Sequence, residues 1–353
     1  MNLIFDIETD GLIKEATTIH ALCIKDADTG KNYSCTDNSK EHLPIGEGLK
    51  MLQEADLIVG HNILCFDIPV IQKLHPDWKP KGQIRDTLTI SRLIWTALKD
   101  NDYACSRKYG PNYTLPPRLF GRHSLESWGH RIGDNKGDFG KTTDWQHWSL
   151  DMQLYCMQDV EVTHKLWKLE QSKNYSERAI ELEHQFQQII YQQETNGFPF
   201  DIKAAEKLYI QLCAERETLR THLLEIFPPI DKGDWFTPKV NNKTRGYQKG
   251  VTVWRPKITE FNPTSRDDIA ERFKQKYHWQ PQEYTTTGKP IIDDEILSEL
   301  PYPEAKQLAK YFLLAKRIGQ IGEGAQAWLK TATDHGTYHA IHGRVTTNGA
   351  VTG

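Results

Sequence analysis

Residues 1–11 read Met1-Asn2-Leu3-Ile4-Phe5-Asp6-Ile7-Glu8-Thr9-Asp10-Gly11. Leu3 to Ile7 is a short apolar run with the character of a buried strand. Side chains two apart on a strand point the same way, so Asp6 and Glu8 project together from one face. Two carboxylates held side by side repel each other unless a proton or a cation lies between them. Taken alone, the pair also reads as solvated acids at a strand end. The stretch has no basic flank and meets an acid at Asp6, so it is no secretory signal.

Outward from this strand, Ile19 to Lys25 and Lys31 to Cys35 flank a turn at Asp26-Ala27-Asp28-Thr29-Gly30. Gly46 to Glu54 reads as helix, Leu57 to Gly60 as a fourth strand, and Asp67 to Leu74 and Asp86 to Leu98 as helices. Lys108 to Arg122 reads as loop and Ser124 to Arg131 as a short helix. Ser149 to Gln171 is the clearest helix, with Leu150, Leu154, Met157, Val160 and Leu166 at helical spacing. Strands first, then helices with a strand between them, predict an α/β layer fold with a mixed sheet. Another helix spans Ser176 to Thr195 and stops at Asn196-Gly197. The domain boundary is placed at Asn174-Tyr175. Beyond it the chain reads as mostly helical: Ile202 to Ile226, Ser265 to Lys276 and Glu304 to Leu329.

The length, 353 residues, suits about two domains. Lys plus Arg is 44 and Asp plus Glu is 47, which excludes a uniformly basic nucleic-acid coat but not a local strip. The Asp231 to Glu260 segment is such a strip, with seven Lys or Arg against three acids. It reads equally as a solvated loop or as a phosphate contact. No apolar run reaches the length of a membrane span. Six cysteines form no CxxC pair and read as free thiols of a reducing compartment.

Two further acids follow structural signals. Asp67 ends Asn62-Ile63-Leu64-Cys65-Phe66-Asp67, just past the fourth strand, where α/β sheets often carry site residues. It also suits a helix cap before Ile68-Pro69. Asp159 lies four residues after Tyr155 on the Ser149 helix, so both share one helix face. As a set, Asp6, Glu8, Asp67 and Asp159 offer the oxygen ligands that Mg²⁺ prefers. Two such ions could stabilise both oxygens of an in-line phosphoryl displacement. Tyr155, with an ordinary pKa near 10, suits a hydrogen-bond partner of the attacking water better than a base.

FDIETDG, HNILCFD and YCMQD resemble, in order and spacing, the three exonuclease motifs of the DEDD nucleases, and the tyrosine matches the DEDDy branch. RDTLTISRLIW, HSLESWGHRIGDNKGDF, QETNGFPFD, FNPTSRDDI, LLAKRIGQ and NGAVTG are similar to stretches of family A DNA polymerases of T-odd-type phages. The resemblance covers nearly the whole chain. It implies a ribonuclease H-like 3′–5′ exonuclease domain over 1–174 and a thumb-like N-terminal part of the polymerase module over 175–353. It implies Asp6, Glu8 and Asp159 as metal ligands, with Asp67 holding a second ion partly through water. Two Mg²⁺ are expected, with Mn²⁺ able to substitute. Asn62 and Phe66 would line the DNA 3′ end, and Lys316 and Arg317 would lie near DNA phosphates.

The palm aspartates and the fingers helix of the family have no counterpart up to Gly353. The resemblance therefore implies no polymerisation by this chain alone, with palm and fingers expected on a second chain or lost at an interrupted or shortened gene. One phage member of that family carries a long insertion before the FNPTSRD-like motif that binds host thioredoxin. Phe227 to Glu260 is much shorter, which argues against thioredoxin binding. The expected substrates are single-stranded DNA 3′ ends and primer-template DNA, in the cytoplasm of a phage host, without membrane contact. The competing expectations are an RNA 3′-end processing nuclease and a non-catalytic DNA-clamping or assembly subunit.

Overall fold

The structure is a computed structural model, and it describes residues 1–134 and 143–349. The end of the HSLESWGHRIGDNKGDF stretch, from residue 135, and the last four residues of NGAVTG lie outside the described residues. The chain divides into two compact units. One is Met1–Asn196 with a return from Gly343; the other is Gly197–His342.

The first unit is built on a five-stranded sheet in the order β3-β2-β1-β4-β5. The strands are β1 (Asn2–Thr9), β2 (Ile19–Asp26), β3 (Asn32–Cys35), β4 (Leu57–Gly60) and β5 (Gln83–Asp86). β1 pairs antiparallel with β2 and parallel with β4, so the sheet is mixed as expected. The period of two along β1 sorts its side chains into two cores. Leu3, Phe5 and Ile7 join the cluster that holds Leu52 and Ile71, from α1 (Ile45–Glu54) and α2 (Asp67–Leu74). Ile4 faces the opposite cluster. That side is covered by α3 (Thr87–Ile94) and by α6 (Leu150–Gln171), through Ile90, Cys156 and Val160. Asp6 and Glu8 alternate with Phe5 and Ile7, so they share the α6 side with Ile4.

Several elements depart from expectation. Asp86 to Leu98 is not one helix: β5 ends at Asp86, α3 follows, and α4 (Leu98–Tyr109) begins after a break. β5 reads Gln83-Ile84-Arg85-Asp86 and offers no apolar run to mark it. α4 takes the first residues of the expected Lys108 to Arg122 loop. It carries only Leu98 and Asp102 inward, so it lacks an apolar stripe. α5 (Leu125–Ile132) falls where a short helix was expected.

On α6, Leu150 and Leu154 are exposed. The buried side is Met152, Gln153, Cys156, Asp159, Val160 and Thr163. The apolar residues mark the wrong face in the first turns because the inward face there carries polar groups. Gln153 Nε2 donates to Ser34 Oγ at 2.9 Å, and Lys25 pairs with Glu161 at 2.5 Å, so α6 is fastened to β2 and β3.

The seam expected at Asn174-Tyr175 falls inside this unit, because α7 (Glu177–Asn196) is tied to the sheet edge. The buried Arg85 of β5 pairs with Glu177 and Glu181 at 3.2 Å each.

The second unit is mostly helical. Its core gathers Leu223 of α8 (Ile202–Ile226) with Phe227, Phe261, Ile269, Phe273, Ile292, Leu297 and Leu308. Ile269 and Phe273 belong to α9 (Arg266–Tyr277), Leu297 to α10 (Asp294–Glu299) and Leu308 to α11 (Pro303–Ile318). The expected Glu304 to Leu329 helix is interrupted. α11 passes into a π-helical turn at Gly319–Glu323, where two glycines loosen the helix, and a short helix resumes at Trp328–Thr331. The Asp231 to Glu260 segment is not plain loop either. Ile230–Asp231 pairs with Ile258–Thr259, and Asp234–Phe236 pairs with Val253–Arg255, giving a hairpin arm.

Candidate active site

β4 ends at Gly60, and the chain must turn at once to place Asn62–Asp67 above the sheet. A Cβ at Gly60 would meet Ile63 Cγ2 at 2.2 Å and Phe5 O at 2.9 Å, so this turn admits only glycine. Asn62 follows in the left-handed region, at φ 68°, which asparagine tolerates better than most residues. Its carbonyl accepts the N–H groups of Cys65 and Phe66 at 3.1 Å each.

Asp86 fixes this turn. Its Oδ1 accepts from Asn62 N at 3.1 Å and its Oδ2 from Leu64 N at 3.0 Å. The same carboxylate caps α3 through Leu88 N and Thr89 N. Hydrogen bonds to a charged acceptor are worth roughly 1.5–3 kcal/mol each, so one buried side chain secures both the loop and a helix. Asp86 N–H donates in turn to His184 Nε2 of α7 at 2.7 Å, while His184 Nδ1 bonds Ile180 O at 2.8 Å. Burial holds the His184 imidazole below its ordinary pKa, which suits a neutral ring accepting at Nε2. Gln187 Nε2 adds a bond to Cys65 Sγ at 3.2 Å.

With the loop held, Asp67 opens α2. The cap reading fails here: the N-cap is Phe66, without a side-chain cap bond. The Asp67 carboxylate instead accepts from Ile7 N at 3.2 Å, on β1 between Asp6 and Glu8. Asp6, Glu8 and Cys156 offer ligand atoms within 4.8 Å of one another. Glu8, Asp67 and Asp159 are buried. Burial pushes the Asp67 carboxyl up to about 7, and the charges of Asp86 and Asp159 push the same way. The structure thus gathers all four predicted acids at one end of the sheet.

Cys156 was missed from the sequence. Its thiol lies among the carboxylates and donates to Asp6 O at 3.3 Å. Burial, the neighbouring Cys23, and Asp6 and Glu8 raise it well above its ordinary pKa, which favours the neutral thiol beside these carboxylates. What remains is a set of carboxylate oxygens, the donors that a hard divalent cation takes. The fit is chemical as well as geometric: like charges this close and this buried need a proton or a cation.

Tyr155, one turn before Asp159, is half-buried, and Trp145 stands edge-on to its ring at 6.4 Å between centroids. Asn62 and Phe66 are half-buried on the pinned loop beside Asp67. Lys316 and Arg317 lie in the second unit, exposed on the last turn of α11. Arg317 Nη1 donates to Gln320 Oε1 at 3.0 Å, and Lys316 borders a cavity of about 270 Å³ with Asp293 and Asp294. Asp86 and His184 were also missed. Asp86-Thr87-Leu88-Thr89 carried a legible cap signal, but nothing local marked His184.

No helix among the described residues is long and apolar enough to cross a membrane. Residues 3–110 match the model of the RNase_H superfamily. The chain is 31% identical over 445 aligned positions to the DNA-directed DNA polymerase of Escherichia phage T7, covering 99% of this chain and 61% of the relative. The DNA-directed DNA polymerase of Enterobacteria phage T3 matches with the same identity and coverage. The chain therefore spans less than two thirds of the length of these relatives. A solved structure described as the apo form of a nuclease is 17% identical at a TM-score of 0.38, covering 56% of this chain and 85% of its own, a likeness too low to argue from. The mixed sheet, with Asp6, Glu8 and Asp67, thus lies within the residues that match the RNase_H superfamily, in a chain similar along 99% of its length to phage DNA-directed DNA polymerases.

Proposed function

We propose that the chain is a 3′–5′ exodeoxyribonuclease, the proofreading part of a phage replicative polymerase, that removes nucleotides from DNA 3′ ends. The observation that carries this is the Asp67 carboxylate bonded to Ile7 N–H between Asp6 and Glu8. It brings the acids of two motifs to one strand, facing the helix that bears Asp159. Under this reading Asp6, Glu8 and Asp159 hold one Mg²⁺ or Mn²⁺, and Asp67 holds a second, partly through water. The ions supply charge stabilisation to the attacking and leaving oxygens of the displacement.

The protein's own part is positioning. Asn62 and Phe66 line the terminal nucleotide, and the Tyr155 hydroxyl orients the attacking water. Water adds to phosphorus, the bond to the preceding 3′ oxygen breaks, and a nucleoside 5′-monophosphate leaves. The chemistry is assigned to residues 1–174, with α7 as their buttress. The rest of residues 175–353 is assigned to a thumb-like region that would contact primer-template DNA, with Lys316 and Arg317 near phosphates. The setting would be the cytoplasm of the phage host.

The test is a digestion time course of the full chain on 5′-labelled single-stranded DNA. A ladder shortening from the 3′ end with Mg²⁺, absent with EDTA and in Asp6→Ala/Glu8→Ala, is the expected result. Preference for an RNA 3′ end would point to an RNA-processing nuclease. No cleavage by folded wild-type protein would contradict the reading and point to a clamping subunit.

A further inference from the structure

The first unit holds a cavity of about 580 Å³ that is lined by none of the four acids. Its wall includes Arg92 of α3, Lys99 of α4, Arg122, His123 and Arg344, against the single acid Asp100. The wall is built rather than fortuitous. The buried Asp102 carboxylate accepts from Gly121 N at 2.7 Å, from Tyr113 Oη at 2.6 Å and from Arg131 Nη2 at 2.8 Å. Gly121 sits at φ 73°, and a Cβ there would meet Lys99 Cβ at 2.7 Å, so the loop is pressed against α4.

The cations of this wall have no contact ion pair among the described residues, although Asp86 and Glu194 act on Arg92 from a distance. Arg131 is paired with Asp102, but Arg92, Lys99, Arg122 and Arg344 join no ion pair among the described residues. Arg92 is half-buried, which is an expensive place for an unpaired guanidinium. The α3 C-terminus beside it offers only a partial negative charge. Burial lowers Arg92 against the opposing charge of Asp86, with a smaller push from the like charge of Arg344, and His123 falls to about 4 through burial and the charges of Arg92 and Arg131. A neutral His123 leaves the cations to meet an anion without a further proton.

We infer that this cavity is a phosphate-binding site, taking the phosphate of a mononucleotide or of a DNA strand. Guanidinium groups bind phosphate oxygens through paired N–H donors, and four cations against one acid suit a multiply charged anion better than a single carboxylate. The volume lies within the range of small-ligand pockets and would admit a nucleotide.

The test is binding to the full chain in the Asp6→Ala/Glu8→Ala background with EDTA, so that the carboxylate cluster takes no part. The probes are deoxythymidine monophosphate and a short single-stranded oligonucleotide, read by titration calorimetry. Arg92→Met and Arg344→Gln are each expected to weaken binding about tenfold or more. Arg344 is exposed, so its variant guards against a folding defect, and melting temperatures confirm native structure. Loss with the mononucleotide identifies a free nucleotide as the ligand; loss with the oligonucleotide alone identifies the DNA backbone. No binding by the parent protein, or binding unchanged in both variants, overturns the inference.

Discussion

The carboxylates of the first unit and the basic arm of the second are both charge clusters, yet only the first is held by burial. Asp67 bonds to a strand N–H, and its loop is pinned by Asp86, which is braced by His184. On the arm, Lys232 pairs with Asp268 and Glu271, and Arg255 pairs with Asp234, all at the surface. Lys239, Lys243, Arg245 and Lys249, further out on the hairpin, are exposed. Burial makes the positions of charges specific at a cost in stability; exposure leaves them cheap and interchangeable. A chemical centre needs the former, and a sequence-tolerant contact needs only the latter.

If that contrast holds, damage to the support of the first cluster should be severe. Asp86→Ala removes the loop anchor and the α3 cap together. It should lower stability by at least about 2 kcal/mol in urea unfolding. Nuclease rates at a temperature where the variant stays folded should fall roughly 10–100-fold, as for other groups that orient ligands. A folded variant with full activity would show that the loop needs no anchor.

Tyr155→Phe keeps the ring against Trp145 and deletes only the hydroxyl. The expected loss is on the order of tenfold or more in single-turnover rate, with DNA affinity unchanged. An unchanged rate would remove Tyr155 from the positioning of water.

A third prediction separates cost from function. Glu170 on α6 is buried, and neither carboxylate oxygen meets a hydrogen-bond partner among the described residues. Burial raises it well above the ordinary carboxylate range. The unfolded chain releases this proton near pH 4.3, whereas the folded chain holds it to higher pH, so stability falls as pH rises between the two values. Glu170→Gln removes that dependence. Its melting temperature should gain on the wild type from pH 5 to pH 8, by an equivalent of roughly 1–3 kcal/mol. A difference that stays flat with pH would mean that Glu170 is solvated.

The smallest effects belong to the arm. Reversing Lys239, Lys243, Arg245 and Lys249 together should leave stability within about 0.5 kcal/mol. It should weaken DNA binding and flatten its salt slope, by up to about 0.7 per lost phosphate contact on single strands. An unchanged slope would leave these residues as solvated surface.

The contrast also explains what could be read from the sequence. The β1 alternation, the Leu57–Gly60 strand and the Asp67 helix carry periodic apolar residues, and the structure places them where they were expected. Asp6, Glu8 and Asp67 follow from those elements because short-range geometry sets their directions. β5 and α4 were not legible, since Gln83–Asp86 and Leu98–Tyr109 are polar elements stabilised by tertiary bonds. The inward face of α6 was misjudged at Leu150 and Leu154 because a polar residue, Gln153, faces inward there to bond β3. His184 lies 98 residues from the Asp86 N–H it accepts, and no local pattern encodes such a bond.

The central claim is that the buried carboxylates exist to hold cations. The most direct check counts Mn²⁺ bound to the full chain with a non-hydrolysable single-stranded DNA end, by electron paramagnetic resonance. The account predicts two ions per chain, both lost in Asp6→Ala/Glu8→Ala. Wild-type protein that binds none, or a variant that binds as well as wild type, would contradict it.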